Sequence, residues 1–255
     1  MGKNKLKKFA EMETFHNVFQ CGAREVIEDN PAVAMAGHWR EKYFHNDNPI
    51  VLELGCGRGE YTVGLAQRDP SKNYIGVDIK GARMWAGAKL AEQSGMTNVA
   101  FLRTNIEMLS CFFSTDEIDE IWITFPDPQM KKATKRLTST FFMQRYMQIL
   151  RPEGLIHLKT DSPFLYTYTQ AMVKENAYPI MVDTDDLYAA QPSEAIEDAR
   201  CLQTHYEKQW LDRGLTIKYL TWRLPSNPSL VEPEIEIEKD TYRSYGRNYV
   251  STTNH

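Results

Sequence analysis

The 255-residue sequence has no apolar run near the roughly 20 residues that a membrane-crossing helix requires. No apolar signal core follows the lysine-rich start at residues 1–9, so the expectation is a cytoplasmic protein with no membrane association. Cysteine is scarce and dispersed. Cys21, Cys56, Cys111 and Cys201 form no CxxC pair, which argues against a zinc site or a disulfide framework, and no metal is expected. Internal repeats and low-complexity blocks are absent. A large excess of positive charge is missing too: the formal net charge is −4, which does not advertise a nucleic-acid binder.

The distribution of charge says more than its sum. Lys3, Lys5, Lys7 and Lys8 cluster near the start, and Lys131, Lys132, Lys135 and Arg136 cluster mid-chain. Acids gather elsewhere, at 183–186 and 232–240. Either basic cluster alone reads as solvated lysines. Together they allow an acidic protein to present one basic face to phosphates.

Three zones are predicted. Residues 1–48 form a basic, partly helical extension, ended by Asn46-Asp47-Asn48-Pro49. Residues 49–224 form the main domain, and 225–255, rich in proline, serine and charge, form a surface-hugging tail. Within the domain, apolar strands at 50–54, 74–79, 99–102, 120–125 and 155–160 alternate with helices at 61–68, 82–94, 139–150 and 163–176. Further strands are predicted at 180–182 and 216–224, with a helix near 205–213. Nearly continuous apolar strands alternating with helices predict an α/β, Rossmann-like fold, a mostly parallel sheet covered on both faces.

Ligands of such sheets bind beyond the carboxyl ends of the strands, at the switch point. The first such end is Glu53-Leu54-Gly55-Cys56-Gly57-Arg58-Gly59. Gly55 and Gly57 permit a tight turn and close backbone approach, and Gly59 permits close helix packing. The dinucleotide pattern GxGxxG fails, because Glu60 occupies its last position. Glu53 suits a cationic ligand such as the sulfonium and amine of S-adenosylmethionine. Asp78 fits a ribose-binding carboxylate or, alternatively, an acid at a helix start. Asn105 fits an adenine-recognising amide or a turn residue.

Glu53 to Gly59, Asp78 and Asn105 resemble the cofactor motifs of class I S-adenosylmethionine-dependent methyltransferases. That resemblance implies Glu53 near the methionine end, Asp78 on the ribose and Asn105 beside the adenine. Phe125-Pro126-Asp127-Pro128, Lys131 and Lys135-Arg136-Leu137 resemble the signature of tRNA (guanine-N7)-methyltransferases, over about 50–224. Lys159-Thr160-Asp161 and Thr204-His205-Tyr206-Glu207 belong to the same resemblance. It departs at Asp78, usually Glu in that family, at Asn105, usually Asp, and at Gln129-Met130, where Trp-Pro or similar is common.

The resemblance implies that Asp127 is the active-site carboxylate, close to the cofactor methyl. It also implies that Lys131, Asp161, Thr204, Tyr206 and Glu207 contact a tRNA substrate, with position 46 of the variable loop as acceptor. Read without it, Asp161 is equally a helix cap, and Thr204 and Glu207 have capping-box spacing. Lys131, Lys132, Lys135, Arg136 and the N-terminal lysines are expected on RNA phosphates, and His157 and His205 are expected to be structural. Two other functions remain open: methylation of a small molecule or protein, and a silent RNA-binding subunit. No subunit interface is legible, so monomer and homodimer both stay open.

Overall fold

The computed structural model describes residues 3–27, 29–226 and 230–241. An eight-stranded sheet runs through the centre, in the order β1-β4-β3-β2-β5-β6-β8-β7. The strands are β1 (Val18–Gln20), β2 (Ile50–Leu54), β3 (Asn73–Val77), β4 (Val99–Arg103), β5 (Ile118–Thr124), β6 (Leu150–Thr160), β7 (Ile180–Thr184) and β8 (Lys218–Leu224). β1 to β6 pair in parallel, whereas β8 runs antiparallel to both β6 and β7.

The helices are α1 (Lys3–Met12), α2 (Glu60–Arg68), α3 (Gly81–Gln93), α4 (Thr140–Tyr146), α5 (Pro163–Glu175), α6 (Glu194–Arg200) and α7 (His205–Leu211). Every residue of β2 and β3 is buried, the pattern of central strands covered on both faces. Along β2, Ile50, Leu52 and Leu54 join the core that contains Trp39, Tyr146 and Trp222, while Val51 joins Tyr61, Trp122 and Tyr219 on the other face. Strand alternation places Glu53 on the Val51 side, beneath α2.

The predicted N-terminal extension is built into this core. Its β1 pairs with β4, and Trp39 is fully buried with its indole N–H donating to the Phe112 carbonyl at 2.8 Å. Burial of an aromatic of that size contributes roughly 1.5–3 kcal/mol, so residues 18–44 stabilise the sheet edge.

Local reading erred most between α4 and β6. The helix expected over 139–150 stops at Tyr146, and Leu150, just before Arg151-Pro152-Glu153-Gly154, already pairs with Ile118. The ladder then shifts to Glu120 opposite Leu155, and Glu153 takes φ +61°. The irregularity lets a proline sit inside a strand by looping the surplus residues outward. Helix α6 was not foreseen, though Ser193 caps it by accepting from the Ile196 N–H at 3.4 Å. Among the described residues, no helix is long and apolar enough to cross a membrane.

Candidate active site

β3 and β5 flank β2 on opposite sides, so the direction of strand addition reverses at β2 and a crevice opens beyond the ends of β2 and β5. The turn after β2 forms its floor. Gly55, Gly57 and Gly59 have φ of +76°, +55° and +71°, a region costly for other residues. The Gly55 and Cys56 N–H groups donate to the Val77 carbonyl at 2.8 and 3.1 Å. A Cβ on Gly55 or Gly57 would meet nothing closer than 4.0 and 3.9 Å, so space lies open over both. At Gly59 it would fall 2.6 Å from the Phe101 ring. The first two glycines thus leave room for a ligand, and the third lets α2 pack.

Asp78 joins this turn to the next strand. Its carboxylate accepts from the Gly57 N–H at 2.9 Å and from the Lys80 N–H at 2.7 Å. Each oxygen keeps acceptor capacity for a ligand hydroxyl. A cleft of about 350 Å³ follows, lined by Asp78, Ile79, Thr104, Asn105, Ile106 and Phe142 among others. Ile79 is 45% exposed, unusual for isoleucine beside a buried acid, and Ile106 is half-buried. The Thr104 hydroxyl is buried without a hydrogen-bond partner. Two apolar walls with polar groups at one end suit a nucleoside, so the residues present fit the adenosyl part of S-adenosylmethionine. Asn105 is exposed at the cleft and makes no capping bond, so its amide is available to a ligand.

Glu53 lies deeper than expected. It is 3% exposed, and its carboxylate accepts from the Thr62 N–H at 2.8 Å, the Thr62 hydroxyl and the Thr124 hydroxyl at 2.7 Å. Burial raises its pKa to about 7 against those stabilising bonds, and the nearby Asp78 charge adds to the rise. Its bonds to Thr62 and Thr124 tie the ends of α2 and β5 to β2.

Asp127 is exposed beyond β5, and its carboxylate accepts from the Gln129 N–H at 2.9 Å. Phe125 and Gln129, neither a glycine, take φ of +48° and +46° on either side of Pro126-Asp127-Pro128. Left-handed backbone at bulky residues stores strain, which concentrates at functional loops. The Phe125 N–H donates to the Lys159 carbonyl at 2.8 Å, which continues the ladder into the loop.

The basic cluster divides. Lys131 and Lys132 are exposed, without a carboxylate partner among the described residues. Lys135 instead pairs with Glu107 at 2.6 Å across the cleft. Arg136 corrects the expectation of a phosphate contact: it is 8% exposed and stacks 4.9 Å from the Phe164 ring centroid and 4.3 Å from that of Tyr168. Its guanidinium also donates to the Gln129 and Met130 carbonyls, so it closes the Asp127 loop.

Two expected substrate contacts lie under the surface. Asp161 is fully buried, and Ser162, not Asp161, caps α5 by accepting from the Leu165 N–H at 3.0 Å. Thr204 and Glu207 form the capping box that their spacing suggests. Glu207 is corrected as a direct contact: at 0% exposed, it pairs with the Lys159 ammonium at 2.8 Å and accepts from the Tyr188 hydroxyl at 2.7 Å. Lys159 also donates to the Ala199 and Leu202 carbonyls, and burial lowers its pKa. Tyr206, on the same helical turn, is 44% exposed and Thr204 is half-buried. His157 is structural as expected, buried against Tyr219, Thr221 and Glu120. The side chain of His205 and residues 227–229 and 242–255 of the expected tail lie outside the described residues.

This strand order with a glycine turn at the switch point defines the fold of class I S-adenosylmethionine-dependent methyltransferases. A 16S rRNA methyltransferase, KamB, shares it at a TM-score of 0.55 and 18% identity, covering 74% of this chain and 92% of that one. Residues 47–220 match the family described as putative methyltransferase. A tRNA (guanine-N(7)-)-methyltransferase of Bacteroides thetaiotaomicron is 57% identical over 248 residues, covering 97% of this chain and 96% of that protein. One of Clostridium acetobutylicum is 35% identical, over 72% of this chain and 85% of its own length. The chain belongs to the tRNA (guanine-N(7)-)-methyltransferase family.

Proposed function

We propose that this protein transfers the methyl group of S-adenosylmethionine to N7 of guanine in tRNA, giving 7-methylguanosine, with position 46 of the variable loop as acceptor and the cytoplasm as its location. One observation carries the reading: an exposed carboxylate, Asp127, stands on a strained loop at the switch point, with the unpaired Lys131 and Lys132 just beyond it.

S-adenosylmethionine supplies a methyl group on a cationic sulfur. The chain holds it through the Gly55–Gly57 turn, the Asp78 carboxylate, the Asn105 amide and the apolar walls Ile79 and Ile106. Guanine N7 already carries a lone pair, so no base is needed to uncover it. Positioning and electrostatics therefore supply catalysis. Asp127 accepts from the N1–H and N2–H edge of the guanine and stabilises the positive charge that the purine gains. Its exposure and ordinary bonding suit an orienting acceptor better than a proton-abstracting base. Lys131 and Lys132 meet phosphates, which place the RNA without specifying its sequence. In this reading Thr204 and Tyr206 contact the RNA, and the buried Glu207 holds their helical turn through its pair with Lys159.

A small-molecule or protein acceptor would leave the unpaired lysines without a role, and a silent subunit would have no need of the open glycine turn. The test is incubation with labelled S-adenosylmethionine and unmodified tRNA, followed by mapping of 7-methylguanine. Label at N7 of guanine 46 is expected; no transfer to any tRNA sinks the reading. Asp127→Ala is expected to lower kcat at least a hundredfold while S-adenosylhomocysteine binds with near-normal affinity. A comparable loss of that affinity contradicts the assigned role.

A further inference from the structure

Lys159 is the last residue but one of β6, and its backbone pairs with Thr124 at the end of β5. Its carbonyl accepts from the Phe125 N–H at 2.8 Å, where the chain leaves β5 for the Asp127 loop. Its side chain is fully buried, with the ammonium 5.9 Å from the ring centroid of Phe125 and 5.3 Å from that of Tyr61. Three acceptors converge on that ammonium. They are the Ala199 carbonyl at 2.6 Å in the last turn of α6, the Leu202 carbonyl at 2.9 Å in the connection, and the Glu207 carboxylate at 2.8 Å in the first turn of α7. Glu207 also accepts from the Thr204 N–H at 3.3 Å, which closes the capping box.

One cation therefore ties the whole α6–α7 connection to the strand end from which the Asp127 loop departs. Carbonyls at a helix C-terminus lack partners within the helix and favour a positive charge, so the ammonium suits the end of α6. The connection is closely seated as well: a Cβ on Gly64 of α2 would fall 2.4 Å from Leu202 Cδ2. Stability alone does not call for an ion pair at this place. Taking two charges out of water offsets much of their attraction, and apolar side chains of similar volume often stabilise such sites at least as well. What apolar side chains lack is direction. An ammonium held by three acceptors fixes where the Thr204–Tyr206 turn stands relative to the end of β6.

We propose that Lys159 is a positioning residue for methyl transfer: its ammonium sets the Thr204–Tyr206 turn against the Asp127 loop, so that both engage the acceptor nucleotide at once. The proposal rests on the tRNA reading above and on the RNA contacts assigned there. Lys159, fully buried, acts through the α6–α7 connection and touches no RNA itself. Phosphate contacts place the RNA, whereas alignment at the reacting atoms sets the rate. Loss of the tether therefore acts on kcat more than on KM, and a displacement of about 1 Å is enough to cost roughly a hundredfold.

The experiment compares the full-length protein with Lys159→Met and with Lys159→Met/Glu207→Gln. The double variant leaves no charge stranded in the core, and its glutamine oxygen still accepts from the Thr204 N–H, so α7 keeps its cap while the tether is gone. Turnover is counted per molecule that binds S-adenosylhomocysteine, which removes unfolded protein from the comparison. The double variant is expected to lose at least tenfold in kcat, on the order of the cost of misalignment, with KM for tRNA and S-adenosylhomocysteine affinity unchanged. Lys159→Met is expected to lose as much per binding molecule, with a lower Tm. A smaller fall in kcat for the double variant overturns the proposal and leaves Lys159 a residue of the fold. A rise in KM without a fall in kcat also overturns it, as does a loss of S-adenosylhomocysteine affinity. An unsubstituted protein that methylates no tRNA overturns the tRNA reading, and this proposal with it.

Discussion

Replacing Glu53 with glutamine isolates what it costs to keep a charge under α2. The folded carboxyl holds its proton up to about pH 7, whereas its ordinary value is 4.5, because burial outweighs the bonds from Thr62 and Thr124. Between those values the folded state binds more protons than the unfolded chain, so stability falls as pH rises through this window. At about 1.36 kcal/mol per pH unit, the rise amounts to about 3 kcal/mol, fully present above about pH 7 and absent below about 4.5. Glutamine fits the same bonds. Its oxygen accepts from the Thr62 N–H, and its amide donates to a rotated Thr124 hydroxyl, with no charge to desolvate. Urea unfolding of both proteins without cofactor, at pH 5 and pH 8, measures the difference. Glu53→Gln is expected to gain about 2.5 kcal/mol on the wild type between the two pH values, since pH 5 already lies inside the window, or roughly 5–10 °C in Tm for a chain of this size. A difference that does not change with pH refutes the reasoning, because the three donors would then hold the carboxylate ionised throughout.

Lys131→Ala/Lys132→Ala is expected to weaken tRNA binding and reduce its salt slope by about 2 with Tm unchanged, whereas Arg136→Ala lowers Tm and kcat with the slope intact; binding titrations at several salt concentrations separate them, and a reduced slope for Arg136→Ala would return that residue to the RNA. Lys159→Met strands the Glu207 carboxylate in the core and is expected to cost about 3–5 kcal/mol, most of it recovered by adding Glu207→Gln. Unfolding free energies that stay within about 1 kcal/mol of wild type for Lys159→Met would contradict the buried pair.

The sheet was legible because its central strands are written in unbroken apolar residues between turn formers. Ile50-Val51-Leu52-Glu53-Leu54 followed by three glycines admits few other structures. Two kinds of element escaped. Val18–Gln20 is too short to show a period, and it is a strand only because β4 offers an open edge. Leu150 to Gly154 carries a proline and a glycine, local signals for a stop, and long-range pairing with Ile118 overrides them.

The site divides along the same line. The placement of Gly55, Gly57, Asp78, Asn105 and Asp127 could be read from order along the chain, since each lies just beyond a strand end and strand ends are set by local pattern. What each side chain touches could not, because partners come from elsewhere in the sequence. Arg136 looked like a third cation beside Lys131 and Lys132, and only Phe164 and Tyr168, some 30 residues on, make it a buried clasp. Glu207 has the spacing of a cap and the resemblance of a substrate contact, yet Lys159 on β6 decides its environment. Charge identity is thus a weak guide to RNA contact in this protein. The cations that remain for phosphate are those the fold leaves unpaired, which is why Lys131 and Lys132 are expected to shift the salt dependence and Arg136 is not.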